Sequence, residues 1–242
     1  MMAHKQPIAV FDIDGTLFRW QLFHELVFEL SKRGVLDKKS SQQIEQQFLR
    51  WRALKASWQD YESQVVDALY ANIENISPQQ LDNAAQAVLA RSGHKVYNYT
   101  SNLVKKLKQQ GYFLLAITGS QQAVAEPFAI RHGFDHCVGV IYTENPQTGK
   151  YTKNHEQNTI GHKAELLTDF IAKNYLTLKG SYAVGDSKSD AEMLAMVENP
   201  IAFNPDEELL KIATSKNWPV VIERKNIAYT LDFANKYQYQ VF

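Results

Sequence analysis

The sequence predicts an α/β fold in which a doubly wound, mostly parallel sheet carries an inserted bundle of helices. Apolar runs of strand length alternate with amphipathic stretches, and this alternation is typical of a parallel sheet with helices on both faces. The runs are almost continuously apolar, as burial on both sides requires. About ninety-five residues separate Leu17, shortly after the first run, from Tyr112 at the start of the second, which is too long for a loop and therefore indicates an insert.

Each element of the predicted core follows from this pattern. Five strands are predicted, at 7–12, 112–117, 136–142, 181–185 and 200–203. Four helices are predicted between them, at about 97–110, 121–132, 161–175 and 188–197. The segment 140–152 contains Asn-Pro-Gln-Thr-Gly and predicts a hairpin before the third of these helices.

The long gap predicts three or four helices. Apolar residues recur at helical spacing from Phe23 to Leu30, and Gly34 is a plausible stop. Ser77-Pro78 is typical of a helix start and Ser92-Gly93 of a helix end. We therefore predict a core domain formed by 1–17 and 95–242, with a helical insert at 18–94.

The most informative motif is the Asp-Ile-Asp-Gly-Thr segment from Asp12 to Thr16, which follows the first strand directly. Because the chain turns here, both carboxylates can converge at the carboxyl end of the strand, where open α/β sheets place their sites. Adjacent carboxylates repel unless a cation or a shared proton intervenes. Oxygen ligands suit Mg²⁺, so the motif predicts a magnesium-dependent phosphate site. The structural alternative is an acidic turn with Asp14 capping the next helix.

Three later segments carry chemistry of the same kind. Thr118-Gly119-Ser120 ends the second strand with a hydroxyl and free backbone amides, which could bind phosphate or cap a helix. Lys163 lies in the first turn of a helix, against the helix dipole, which suggests a role in offsetting negative charge, although a solvated lysine is the simpler reading. Asp186 and Asp190 follow the fourth strand and could complete a carboxylate set or cap a helix.

Together and in this order, the four segments resemble the motifs of the haloacid dehalogenase-like (HAD) phosphohydrolases. The resemblance spans about Ile8 to Asp206 and implies a Rossmann-like core. The helical insert resembles the type-1 cap of the phosphoserine-phosphatase-like branch. The activity that this resemblance implies is that of a phosphoric monoester hydrolase that uses Mg²⁺ and forms an aspartyl-phosphate.

The resemblance also assigns roles to the two aspartates of the first motif. Asp12 is expected to be the nucleophile, and Asp14 the general acid and then the general base. The metal is expected to bind an Asp12 oxygen, the backbone carbonyl of Asp14 and Asp186.

The remaining motifs receive roles in the same way. Thr118 and the amide of Gly119 are expected to bind the phosphoryl oxygens. Lys163 is expected to bind the phosphoryl group and to neutralise charge on it and on the nucleophile. Asp190 is expected to orient Lys163 without contacting the metal or the substrate itself.

The substrate is less well defined. Phosphoserine phosphatases carry an acidic residue near the position of Gln21, and an asparagine where this chain has Ser189, so phosphoserine itself is disfavoured. Arg50 and Arg52 could meet a second anionic group but are more simply exposed helix residues. The sequence therefore predicts a small phosphomonoester. The alternatives are phosphoserine phosphatase proper, a phosphotransferase, and a non-enzymatic regulatory or scaffold protein that binds Mg²⁺ or phosphate.

Composition limits the partners. Lysine plus arginine and aspartate plus glutamate number 26 each, which gives no electrostatic argument for nucleic acid or membranes. The expected partner is a small phosphorylated metabolite, and the expected state is a monomer or weak dimer. No signal peptide or transmembrane run is visible, and the single cysteine, Cys137, reads as a buried residue, so a cytoplasmic location is expected. The aromatic tail at 220–242 is compatible with core packing or with an interface.

Overall fold

The central element of the protein is a single twisted sheet. The computed structural model describes residues 5–231 and the backbone of 238–241. Within those ranges the strands are β1 (Gln6–Phe11), β2 (Phe113–Gln121), β3 (His136–Asn145), β4 (Lys150–Gln157), β5 (Leu176–Gly185), β6 (Asn199–Phe203), β7 (Val220–Arg224), β8 (Ile227–Leu231) and β9 (Gln238–Val241). The helices are α1 (Leu22–Lys32), α2 (Lys38–Arg52), α3 (Trp58–Asn72), α4 (Pro78–Ser92), α5 (Asn98–Gln109), α6 (Gln122–Arg131), α7 (Lys163–Lys173), α8 (Ala191–Ala195) and α9 (Glu207–Ser215).

The strand order confirms the predicted fold class. The order is β4-β3-β2-β1-β5-β6-β7-β8-β9, and all neighbours from β3 to β7 are parallel. The hairpin partner β4 and the strands β8 and β9 are antiparallel additions at the two edges. Helices cover both faces, so the core is the expected doubly wound sheet.

Two differences from the sequence prediction affect the site and its edge. Strand β2 continues four residues further than expected, to Gln121, which pairs with Val140 of β3 after a shift in register. The segment 220–231, for which no strand was predicted, forms β7 and β8 of the sheet. Of the predicted aromatic tail, Phe233, Tyr237 and Phe242 lie outside the described residues.

Alternation along β1 divides the core into two layers. Ala9 and Phe11 face a hydrophobic cluster that contains the helical insert, α5 and α6. Ile8 and Val10 face the opposite cluster, which contains α7, α8 and α9. All four side chains are fully buried, which explains why this strand is apolar at every position rather than at every second one.

The segment predicted to be a helical insert does form four helices, α1 to α4. Gly34 follows α1 with a φ of 70°, which favours glycine. Ser77 caps α4 in a capping box with Gln80, and Pro78 is the first helical residue. The helices share one continuous hydrophobic cluster with a face of the sheet. The domain boundaries at 17/18 and 94/95 stay predictions.

The two chain segments that lead into and out of the helical insert are joined to each other. Phe18 forms a bridge with Val96, and the Arg19 amide donates to the Lys95 carbonyl at 2.9 Å. On the other side, the Tyr97 amide donates to the Leu17 carbonyl at 3.0 Å. The two covalent connections of the insert therefore run side by side in one short paired segment, which we call the hinge (17–19 and 95–97).

A buried carboxylate from strand β7 fixes this hinge. Glu223 of β7 accepts hydrogen bonds from the backbone amides of Asn98 at 3.1 Å and Tyr99 at 2.8 Å. These amides open α5, whose N-cap residue has no capping side chain, so Glu223 replaces the cap from a distance. The guanidinium of Arg19 completes the cluster by pairing with the same carboxylate.

Two further sequence expectations can be compared with the structure. Cys137 is a free cysteine and is buried in the core, as predicted. Among the described helices, none has both the length and the apolar character that membrane crossing requires.

Candidate active site

The predicted site residues come together at one edge of the sheet. Strand β1 lies between β2 and β5, and the three strands are parallel. Their carboxyl ends therefore meet at the same edge, which is where ligands bind in open α/β sheets. The residues brought to this edge are Asp12 and Asp14 after β1, Thr118 and Gly119 at the end of β2, Asp186 and Asp190 after β5, and Lys163 at the start of α7.

Lys163 connects two of the buried carboxylates. Its Nζ lies 2.7 Å from Oδ1 of Asp12 and 2.6 Å from Oδ1 of Asp190. Lys163 is only 7% exposed and is the first residue of α7. Burial alone would lower the pKa of Lys163, but the two carboxylates raise it above its ordinary value, so the side chain is a permanent cation. The lysine is therefore not a solvated surface residue.

Asp190 is fully engaged within the protein. Its Oδ1 accepts from Lys163, and its Oδ2 accepts from the backbone amides of Asp186 and Ser187, both at 3.1 Å. A Cβ on Gly185 would lie 2.4 Å from the Cβ of Asp190, so only glycine fits beside this side chain. Asp190 therefore holds Lys163 and the loop after β5 in place, and its supporting role in catalysis stays a prediction.

Asp14 lies in a different environment from Asp12. Its Oδ2 accepts from the hydroxyls of Thr118 at 3.0 Å and Ser120 at 2.6 Å. Its Oδ1 accepts from the backbone amide of Leu22, the first residue of α1. The two aspartates of the first motif thus have different partners: Asp12 contacts a fixed cation, and Asp14 contacts two hydroxyls and a helix N-terminus.

Ser120 was missed as a site residue by the sequence analysis. The expected turn after residue 117 made its hydroxyl look like a helix cap. Because β2 continues to Gln121, Thr118 and Ser120 lie on the same side of the strand and reach the same carboxylate. The Thr118 hydroxyl is directed at Asp14, and Gly119 between them is half-buried; their roles as phosphate ligands stay predictions.

The electrostatics of the site favour a bound cation. Burial raises the pKa of Asp12 to about 7, against the opposing effect of Lys163 and with help from the charges of Asp190 and Asp14. Burial also raises the pKa values of Asp14 and Asp186. Several carboxylates in a buried site with one lysine repel each other, and a divalent cation relieves that repulsion.

The donor set fits Mg²⁺. Carboxylate oxygens of Asp12, Asp186 and Asp190 lie within 4.8 Å of one another, and all are hard ligands of the kind magnesium prefers. Because Asp190 is already engaged, Asp12 and Asp186 are the carboxylates with oxygens to offer. Asp186 sits against Gly15, where a Cβ would come within 2.0 Å of its Oδ2. The glycine of the first motif therefore leaves room for this carboxylate.

Comparison with known proteins agrees with this geometry. The family model of the haloacid dehalogenase-like hydrolases matches residues 9–195. The chain belongs to this family. The histidinol-phosphatase of Neisseria meningitidis serogroup C (strain 8013) is 25% identical over 226 residues, which cover 88% of this chain and 97% of that protein. The resemblance predicted from the four motifs is confirmed, and the chain is a haloacid dehalogenase-like hydrolase.

Solved structures support the same fold. A protein of unknown function from Bordetella pertussis Tohama I has a TM-score of 0.73 at 21% identity, covering 91% of this chain and 99% of its own. A phospho-aspartyl intermediate analogue of phosphoserine phosphatase has a TM-score of 0.59 at 18% identity, covering 92% and 95%. At these identities the likeness concerns the fold, and it includes the helical insert.

Proposed function

We propose that this protein is a Mg²⁺-dependent phosphatase that hydrolyses a small phosphomonoester through an aspartyl-phosphate on Asp12. The observation that carries the proposal is the Lys163 ammonium, 2.7 Å from Asp12 and held from behind by Asp190. A carboxylate held beside a fixed cation can approach an anionic phosphoryl group, because the cation offsets the repulsion between them. Catalysis would then rest mainly on positioning and electrostatics.

In the first step, a carboxylate oxygen of Asp12 forms a bond to phosphorus while the bond to the leaving alcohol breaks. Asp14 gives its proton to the leaving oxygen, for which it must be protonated near neutral pH. Its raised pKa, caused mainly by burial, supports that role. In the second step Asp14 takes a proton from water, the water oxygen bonds to phosphorus, and the Asp12–phosphorus bond breaks to release phosphate.

Mg²⁺ would be held by Asp12 and Asp186, together with the backbone carbonyl of Asp14. When bound, it would neutralise charge on the carboxylates and on the phosphoryl group. Thr118 and the Gly119 amide would bind the phosphoryl oxygens on the side of the phosphoryl group away from Mg²⁺. The Ser120 hydroxyl, 2.6 Å from Asp14, would hold the acid in position through both steps.

Histidinol phosphate is the substrate that we propose for testing first. The support is the similarity to the Neisseria histidinol-phosphatase, which extends over nearly the whole of both chains. Phosphoserine is second, since Gln21 offers no charge at the position where phosphoserine phosphatases carry an acidic residue.

The test measures phosphate release by the full chain from histidinol phosphate, phosphoserine and a panel of other phosphomonoesters, with Mg²⁺ and with EDTA. Asp12→Asn should abolish turnover, and Asp169→Asn, an exposed aspartate of α7, is the matched control. Hydroxylamine trapping of a covalent phosphoenzyme in wild type and not in Asp12→Asn would support the intermediate. Full activity in Asp12→Asn would exclude it.

Two alternatives remain outcomes of this test. Phosphoryl transfer to an added alcohol, in preference to water, would indicate a phosphotransferase. Metal binding without turnover of any ester would indicate a regulatory or scaffold protein.

A further inference from the structure

The helical insert brings an additional carboxylate towards a site that is already acidic. Glu62 lies on α3 and is half-buried. Burial raises its pKa, the negative charges of Asp14 and Asp206 raise it further, and the Trp58 side chain opposes the rise by donating a hydrogen bond. Asp14 and Asp206 both belong to the catalytic edge, since the Asp206 amide donates to the carbonyl of Asp186 at 2.8 Å. Glu62 is therefore on the side of α3 that faces the candidate site, next to Trp58, which packs against Trp20 beside the first motif.

The hydrogen bond from Trp58 leaves the negative charge of this carboxylate uncompensated. None of the ion pairs among the described residues includes Glu62. The N-terminus of α3 is already capped by Ser57 and Asp60 in a capping box. A half-buried, unpaired carboxylate close to a phosphate site repels the phosphate, so it is costly unless the substrate carries a compensating positive charge.

Two indole rings border the same position. Trp58 is one helical turn before Glu62 on α3, so both side chains lie on one face of that helix. The rings of Trp58 and Trp20 are 5.5 Å apart in an edge-to-face arrangement. The Trp20 carbonyl accepts the Gly15 amide at 2.9 Å, which places Trp20 directly beside the first motif. Tryptophan faces are the preferred aromatic partners of cations.

We propose that Glu62, Trp58 and Trp20 form a subsite for a positively charged group, an amine or an imidazolium, on the leaving alcohol of the substrate. The proposal rests on the proposed phosphatase function and adds the class of substrate that the helical insert would select. Substrate would bind with its phosphate at Lys163 and its cation at Glu62. The negative charge of Glu62 would disfavour esters of neutral or acidic alcohols.

The test compares substrates of similar shape that differ in charge. Phosphoethanolamine and propyl phosphate form one pair, and 2-(imidazol-4-yl)ethyl phosphate and 2-phenylethyl phosphate form another. For wild type, kcat/KM should favour the cationic member of each pair. Glu62→Gln should lower this preference about tenfold, mainly through KM of the cationic ester, as expected for the loss of about one charge-assisted contact. Glu62→Lys should reverse the preference.

Controls separate the subsite from general effects on the protein. Glu45→Gln changes an exposed glutamate of the neighbouring helix α2 and should leave the preference at its wild-type value. Calorimetric titration of Asp12→Asn and Asp12→Asn/Glu62→Gln with phosphoethanolamine gives a readout without turnover, and the second protein should bind more weakly.

The outcomes distinguish this inference from the function on which it rests. Wild-type turnover without a preference for cationic esters, or an equal effect of Glu62→Gln on both members of a pair, would overturn the subsite and leave the phosphatase intact. Absence of turnover on every ester, with no phosphoethanolamine binding, would overturn both.

Discussion

The backbone amide of Leu22 donates a hydrogen bond to Oδ1 of Asp14. Leu22 is the first residue of α1 and therefore belongs to the helical insert, whereas Asp14 belongs to the loop after β1. The helix N-terminus carries partial positive charge and favours the ionised form of the carboxyl group. The proposed general acid is thus directly coupled to the position of the insert.

This contact predicts a change in the pH dependence of catalysis. Proline is tolerated at the first position of a helix, so Leu22→Pro removes the donor and leaves α1 able to form. Because that hydrogen bond lowers the pKa of Asp14, its loss should raise the pKa further and move the basic limb of the kcat profile to higher pH. Leu22→Ala, which loses the buried side chain but keeps the amide, is the control. Identical profiles for the two variants would contradict the role of the amide.

Lys163 is predicted to be essential for stability as well as for turnover. Lys163→Met leaves the buried carboxylates of Asp12 and Asp190 without their cation, and removing one partner of a buried pair costs about 3–5 kcal/mol. The loss of unfolding free energy should be greater at alkaline than at acidic pH, because the unpaired carboxylates can escape repulsion only by protonation. Urea unfolding at several pH values measures it. Lys173→Met, at the exposed end of α7, should show little change at any pH.

The stabilisation of the protein by bound Mg²⁺ should increase as the pH rises. Protons compete with Mg²⁺ for Asp12, whose pKa is raised to about 7, and for Asp186, whose pKa is also raised by burial. The increase in Tm on adding Mg²⁺ should therefore be larger above neutral pH than below it. Asp186→Asn should be at least as stable as wild type in EDTA, because one repelling charge is gone, and should respond weakly to Mg²⁺. A wild-type response in Asp186→Asn would exclude Asp186 as a ligand.

The burial of His24 leads us to expect a loss of stability in mild acid. The side chain is fully buried in α1, and neither ring nitrogen has a hydrogen-bond partner among the described residues. Burial lowers the pKa of His24 from 6.5 to about 4. Between those two values the unfolded chain binds a proton that the folded chain does not, so stability falls as pH falls, by up to roughly 3 kcal/mol.

The measurement is urea unfolding of wild type and His24→Leu across that range. The variant should lose less stability than wild type on acidification, and His94→Gln, an exposed histidine, should follow wild type. Equal slopes for wild type and His24→Leu would mean that other groups dominate the acid response.

The strands, and the meeting of the motif residues at one edge of the sheet, could be predicted because both depend on local patterns. Asp12, Asp186 and Lys163 each follow a strand or open a helix, and parallel topology then brings them together. Ser120 could not be assigned without knowing that β2 runs on to Gln121. Glu62 and Glu223 act through contacts with residues distant in sequence, and nothing in their own neighbourhoods distinguishes them from exposed helix or strand glutamates.

The attachment of the helical insert has a consequence for the order of folding during synthesis. Arg19 and the Glu223 that holds it are 204 positions apart in the chain. All four helices of the insert and the sheet strands that carry the residues of the candidate site leave the ribosome before Glu223 does. The nascent chain thus contains the whole candidate site before Glu223 can bind the hinge. The hinge, although it is made early, therefore reaches its final geometry only after strand β7 has been made.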